Sequence, residues 1–164
     1  MLIEFKVANF RSFREEQTLS LVAGAAVKDK THADSLVETE GVCLLKTAGI
    51  FGPNASGKSN VVRAFKFMQS LVIRSATRMN LGDPILEAVP FRLDAESPGK
   101  PCSLEITVLL SGTLYVYGFS ANTERVVSEW LRARPADGKM TNWLARGLAA
   151  EGKDWVFGGP LKKE

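Results

Sequence analysis

The stretch GIFGPNASGKSN, Gly49 to Asn60, constrains this chain more than any other. Gly52-Pro53-Asn54-Ala55-Ser56-Gly57-Lys58-Ser59 fits the pattern G-x-x-x-x-G-K-[ST] at every required position. A loop that wraps an anion must turn successive backbone N–H groups inward, which needs dihedrals that glycine adopts cheaply. Gly52 and Gly57 stand where those turns fall. A helix opening near Lys58 aims its unpaired N–H groups and the positive end of its dipole at the same anion. Lys58 adds a full charge able to reach terminal phosphates, and the Ser59 hydroxyl is placed to ligate a magnesium ion bridging them. The bare pattern arises by chance in about one chain of this length in a hundred or fewer. Here it also follows an apolar stretch and opens an apolar-periodic one, so the reading is a phosphate-binding loop (residues 52–59) that takes a nucleotide.

The surrounding chain sets the fold class. LIEFKVANF puts Ile3, Phe5 and Val7 on one face and Glu4 and Lys6 on the other, the mark of a half-buried strand. QTLSLVA resumes that pattern through Leu19 and Leu21, beyond a turn near Asn9 to Arg14. Residues 24–40 are polar, small and mixed in charge, and are expected to form an exposed loop. VCLLKTAGIF, apolar nearly throughout, predicts a strand covered on both faces. Val61, Phe65, Met68 and Val72 then recur at helical spacing for about four turns. Val62, Phe67 and Ile73 add apolar positions, which predicts burial on more than one side. The helix fades near SATRMNLGDP.

Residues 91–158 read as an antiparallel meander of four or five strands: SLEITVLL, TLYVYGF, RVVSEWLRAR, MTNWLAR and DWVF, the first two joined by a tight turn at Ser111-Gly112. The expected class is α/β: mixed and antiparallel strands around one helix that carries the loop, then the meander, in a single domain over residues 1–164. A compact kinase or GTPase is disfavoured. The loop comes late, the units after it do not alternate strand and helix, and no guanine-reading Asn-Lys-x-Asp occurs.

Composition enters as a bound. With 45% hydrophobic and 24% charged residues the chain is globular, and a net charge of +3 permits contact with nucleic acid without arguing for it. Cys43 and Cys102 sit far apart in apolar surroundings and read as buried thiols of a reducing compartment. MLIEFKVANF has no uninterrupted apolar run, so it is no signal peptide. No window reaches the roughly 18 apolar residues of a membrane span. The expectation is a soluble, cytoplasmic protein. His32 falls in the polar loop, with a surface role. Glu105, Glu124 and Glu129 alternate with apolar neighbours and read as outward, solvated carboxylates. Trp130, Trp143 and Trp155 read as core or edge packing rather than base-stacking platforms. Tyr115 and Tyr117 share one face, with a partner surface left open.

MLIEFKVANFRSFREEQTLSLVA, GIFGPNASGKSNVVRAF, PFRLD and YGFSANTERVVSEWL together resemble the N-terminal lobe of the AAA15/AAA21-type ATP-binding proteins. These are relatives of ATP-binding-cassette, chromosome-maintenance and RecF-like ATPases, close to those of the overcoming-lysogenization-defect and abortive-infection systems. The resemblance spans nearly the whole chain, with its motifs in the family's order. It implies ATP as nucleotide and magnesium as ion. It also implies a sandwich of ATP between the loop of one lobe and a signature serine of another, through a homodimer or a partner lobe. By the same resemblance Arg11 of NFRSF would lie beside the phosphates. Ser12 stays open between that role and an ordinary turn, and Asn54 and Asn60 match the family's loop as ligands or braces. Nucleic acid enters as a partner only by analogy with the family.

The sequence departs from that pattern where hydrolysis is concerned. Such enzymes place an acidic pair at the end of an apolar strand to hold the magnesium shell and polarise water. LEITVLL ends instead in Ser111-Gly112. LLSGT lacks the second glycine of the Leu-Ser-Gly-Gly signature and reads as a hairpin turn. No catalytic residue is identified. The chain reads as one ATP-binding half of an ATPase, inactive in hydrolysis by itself, with a non-hydrolytic nucleotide-sensing or interaction module (or truncated remnant) as the alternative.

Overall fold

The computed structural model describes residues 1–24, 34–39, 41–77, 80, 82–147 and 155–162. Its frame is a seven-stranded sheet built from β1 (Leu2–Ala8), β2 (Gln17–Ser20), β5 (Cys102–Leu110), β6 (Thr113–Ala121), β7 (Val126–Pro135), β8 (Thr141–Arg146) and β9 (Trp155–Phe157), in the order β2-β1-β5-β6-β7-β8-β9. Strands β3 (Leu36–Thr39) and β4 (Val42–Leu45) form a separate two-stranded sheet. Every paired strand runs antiparallel to its neighbour. The expected mixture of parallel and antiparallel pairs is therefore absent among the described strands. Hairpins join most sequential neighbours, and a parallel pair would need a long crossover. The β5–β6 hairpin turns at Ser111 (φ 50°) and Gly112 (φ 75°), two left-handed residues that match strand twist.

One helix, α1 (Lys58–Thr77), lies on one face of the sheet. Its buried positions are Ala64, Phe67, Met68 and Leu71, at spacings of three, one and three. They meet Phe5 and Val7 of β1, Cys102 and Leu104 of β5, and Phe119 and Ala121 of β6, each pair two residues apart as strand alternation requires. Phe67 stands edge-on to Phe119 at 5.6 Å and 87°. Burial of each large side chain in this core stabilises the domain by about 1.5–3 kcal/mol.

The helix differs from the sequence expectation in one respect. Val62, Val72 and Ile73 are 53%, 43% and 57% exposed, so α1 is covered on one side only among the described residues.

Two further expectations are corrected. The predicted strand VCLLKTAGIF stops at Leu45. Beyond that residue no described strand lies alongside to satisfy the backbone, and Phe51 is 94% exposed. Within 24–40, Leu36 to Thr39 form β3, because Leu36, Val37 and Thr39 are partly buried while paired with β4. Residues 25–33 and 40, His32 among them, lie outside the described residues.

Glu105 and Glu129 are not the solvated carboxylates that alternation suggested. Glu105 accepts from Trp130 Nε1 at 2.7 Å and Arg132 Nη2 at 2.9 Å, with Lys6 Nζ 3.5 Å away. Glu129 accepts from the Tyr117 hydroxyl at 2.9 Å and pairs with Arg146 at 3.1 Å. Cross-strand partners are invisible to a one-strand pattern. Glu124 is exposed, in the turn before β7.

Candidate functional site

The loop and the NFRSF turn come together at the start of α1. Residues 9–13 close into a tight hairpin, with Phe10 and Phe13 exchanging both backbone hydrogen bonds at 2.8 Å and Arg11-Ser12 at the tip. Asn9 and Arg11 sit at φ 48° and 52°, left-handed conformations that asparagine tolerates better than most residues. The Asn9 amide pins this turn to residues 91–101, the stretch that opens within PFRLD. Its Nδ2 donates to the carbonyls of Ser97 (2.9 Å), Lys100 (2.8 Å) and Pro101 (3.2 Å), and its Oδ1 accepts from Phe91 N–H at 3.1 Å. Asp94 caps the same segment. Hydrogen bonds from the backbone and hydroxyl of Ser97 hold its carboxyl below the usual range.

In the loop, Ala55 (φ 63°) and Gly57 (φ 93°) are left-handed, and Ser56 N–H bonds back to Pro53 O at 3.3 Å. Left-handed residues in such a run turn successive N–H groups to one side, the geometry of an anion-binding nest. A Cβ on Gly57 would lie 2.9 Å from Ser12 Oγ and 3.2 Å from the Phe13 ring, so glycine there also lets the NFRSF turn close onto the loop.

Lys58 Nζ donates to Gly52 O at 2.8 Å and Pro53 O at 2.7 Å, which holds the ammonium against the loop's own rim. The first turn of α1 carries no acidic residue, which leaves the positive end of its dipole uncompensated. A cleft of about 450 Å³ opens here, lined by Asn54 to Asn60 and by Arg63. Among the described residues, no carboxylate is in its walls.

Of the residues singled out by sequence, Asn54, Ala55, Ser56, Gly57, Lys58, Ser59 and Asn60 therefore border one cleft, with Gly52 and Pro53 on the rim that holds Lys58. Ser12 joins them, because its Oγ accepts from Asn60 Nδ2 at 2.7 Å. Arg11 does not: its guanidinium lies 5.5 Å above the Phe10 ring. Sequence reasoning missed Asn9 and Arg63. Arg63 sits one turn beyond Ser59, a spacing that could have placed it on the cleft.

Magnesium fits this donor set only in company with phosphate. Among the described residues no group of three or more His, Cys, Asp and Glu could hold a metal ion. Ser59 offers a single hydroxyl, and Mg²⁺ is commonly held by few protein ligands, water and substrate phosphates.

Two of the other cavities among the described residues lie apart from the loop. One, of about 430 Å³, has the buried Cys102 in its wall beside Arg92 and Lys100. Burial pushes the Cys102 thiol up to about 12. The other lies over Glu105, Trp130 and Arg132. Both cysteines are free thiols, Cys43 half-buried. No described helix is long and apolar enough to cross a membrane.

No curated protein matches the chain. Residues 48–144, more than half of it, match the family model described as "AAA domain, putative AbiEii toxin, Type IV TA system", a span that runs from the loop through α1 to β8. With the loop, its helix and the antiparallel strands beyond them inside that span, the chain belongs to this AAA-domain family, whose function is of the nucleotide-binding P-loop ATPase type.

Proposed function

We propose that this chain binds ATP with Mg²⁺ through Gly52 to Ser59, as the N-terminal half of an ABC/SMC-like ATPase. The observation that carries the reading is the acid-free cleft at the start of α1, where Ala55 and Gly57 bend the loop and Lys58 stands on its rim. Backbone N–H groups of the loop would cradle the phosphates, and Lys58 would exchange its two carbonyl partners for phosphate oxygens. Ser59 would hold the magnesium ion, which supplies charge neutralisation between phosphates when bound. Ser12 and Asn60 would brace the loop, and Arg11 would need to leave the Phe10 ring to reach a phosphate.

Hydrolysis would require acids and a signature serine from a partner lobe that carries them. Val62, Val72 and Ile73 of α1, and Ile50 and Phe51 ahead of the loop, are exposed apolar side chains that such a partner would cover.

A cleft lined, among the described residues, by Asn54 to Asn60 and Arg63 with no carboxylate favours a second reading, a module that binds nucleotide without hydrolysing it. Thermal melting and phosphate release separate these. ATP–Mg should raise the Tm of the wild-type chain and leave Lys58→Ala nearly unmoved. If both proteins melt identically with and without ATP, the binding role is refuted. Phosphate release above the Lys58→Ala background would refute the non-hydrolytic reading.

A further inference from the structure

We propose that Arg63 is a second phosphate-binding cation of the cleft, holding the end of the polyphosphate nearer the sugar while Lys58 takes the terminal end. This role presupposes that the loop binds a nucleotide, as proposed for Gly52 to Ser59.

Helical side chains lean toward the N-terminus of their own helix. Arg63 follows that rule: its Nη1 donates to Asn60 Oδ1 at 2.8 Å, which lays the guanidinium back over the first turn of α1. Asn60 is itself fixed, because its Nδ2 donates to Ser12 Oγ at 2.7 Å, so its carbonyl oxygen is turned toward Arg63. The result is a chain of contacts from Ser12 through Asn60 to Arg63. It braces a planar cation with donors to spare beside a cleft that Arg63 itself lines. No carboxylate pairs with Arg63 among the described residues.

A solvated arginine on a helix face has no need of such a tether. The half-buried amide that holds it also joins the loop helix to the NFRSF turn. Lys58 is held on the Gly52–Pro53 side, whereas Arg63 is held on the Ser12–Asn60 side. A di- or triphosphate can meet both cations, whereas a monophosphate meets one. In loops of this pattern the lysine reaches the β- and γ-phosphates, which leaves Arg63 the phosphate at the nucleoside end.

The test is calorimetric titration of the full chain with ATP, ADP and AMP in the presence of Mg²⁺. Arg63→Gln keeps a polar, exposed side chain but removes the charge. It should weaken ATP and ADP by the same factor, about tenfold as for a lost charge-assisted hydrogen bond. Arg63→Lys should recover part of that affinity, and the Arg63→Gln deficit should shrink as salt rises. Lys58→Ala should weaken ATP more than ADP.

Wild-type affinity in Arg63→Gln would overturn the assignment of Arg63 and leave the nucleotide site standing. A loss confined to ATP would overturn its placement at the sugar end. Failure of the wild-type chain to bind either nucleotide would instead sink the nucleotide-binding reading, and the role of Arg63 with it. Unchanged melting of unliganded Arg63→Gln distinguishes lost binding from lost folding.

Discussion

Asn9 holds the NFRSF turn against residues 91 to 101, and its replacement gives the sharpest test of how this site is assembled. The side chain is 9% exposed and bonds four backbone groups on that segment. Two N–H bonds are available at Nδ2 for three carbonyls, so the 3.2 Å contact to Pro101 is a shared one. Asn9→Ala removes both donors and the acceptor of Phe91 N–H. Buried groups left without partners cost about 1–3 kcal/mol each. Water can reach some of them, so two such losses, about 2–6 kcal/mol, are the reasonable sum. Alanine at φ 48° adds about 1 kcal/mol more.

The expected destabilisation is thus about 3–7 kcal/mol, a large share of the roughly 5–15 kcal/mol that holds an ordinary domain together. Asn9→Gly, free of the backbone term, should be milder than Asn9→Ala by about 1 kcal/mol. Asn9→Asp should be at least as harmful as Asn9→Ala, because a carboxylate would face three carbonyl oxygens. Urea unfolding followed by tryptophan fluorescence measures all three. A loss below about 1 kcal/mol for Asn9→Ala, or equal losses for Ala and Gly, would refute the account of the turn.

Two other outcomes are expected. A Cβ on Gly118 would lie 2.3 Å from the Trp130 ring, so Gly118→Ala must lift that indole off the sheet and break its bond to Glu105. The tryptophan emission should shift to the red and stability should fall by about 1–3 kcal/mol; unchanged emission would count against the packing described. Cys102, with its thiol pushed up to about 12 by burial, should resist iodoacetamide at pH 8 until the chain unfolds, while Cys43 reacts first. The unfolded thiol ionises above about pH 8.5 and the folded one does not, so this residue's contribution to stability falls between there and about pH 12. A Cys102→Ser variant with the same alkaline profile would contradict this.

The loop, its helix and the meander were legible in the sequence because each rests on local rules. The glycine pattern marks a bend, taken up in left-handed conformation by Gly57 and by Ala55 rather than Gly52, period 3.6 marks the helix, and alternation with turn residues such as Ser111-Gly112 marks the hairpins. The same local rules misplaced what depends on neighbours. The apolar run ahead of the loop reads as a buried strand, yet pairing ends at Leu45 and Ile50 and Phe51 face solvent. The apolar stripe of α1 gave a helix, but only packing against β1, β5 and β6 selected Ala64, Phe67, Met68 and Leu71 as the inward side.

The carboxylates of Glu105 and Glu129 found partners across strands, which no single-strand pattern encodes. Tertiary structure brought Ser12 against Asn60 beside the cleft, turned Arg11 onto Phe10, and made Asn9 the pin of the turn. Sequence order fixes which backbone can bend and which face is apolar. Distances between segments as far apart as Ser12 and Asn60, or Asn9 and Lys100, are set by how the sheet and helix close on their common core.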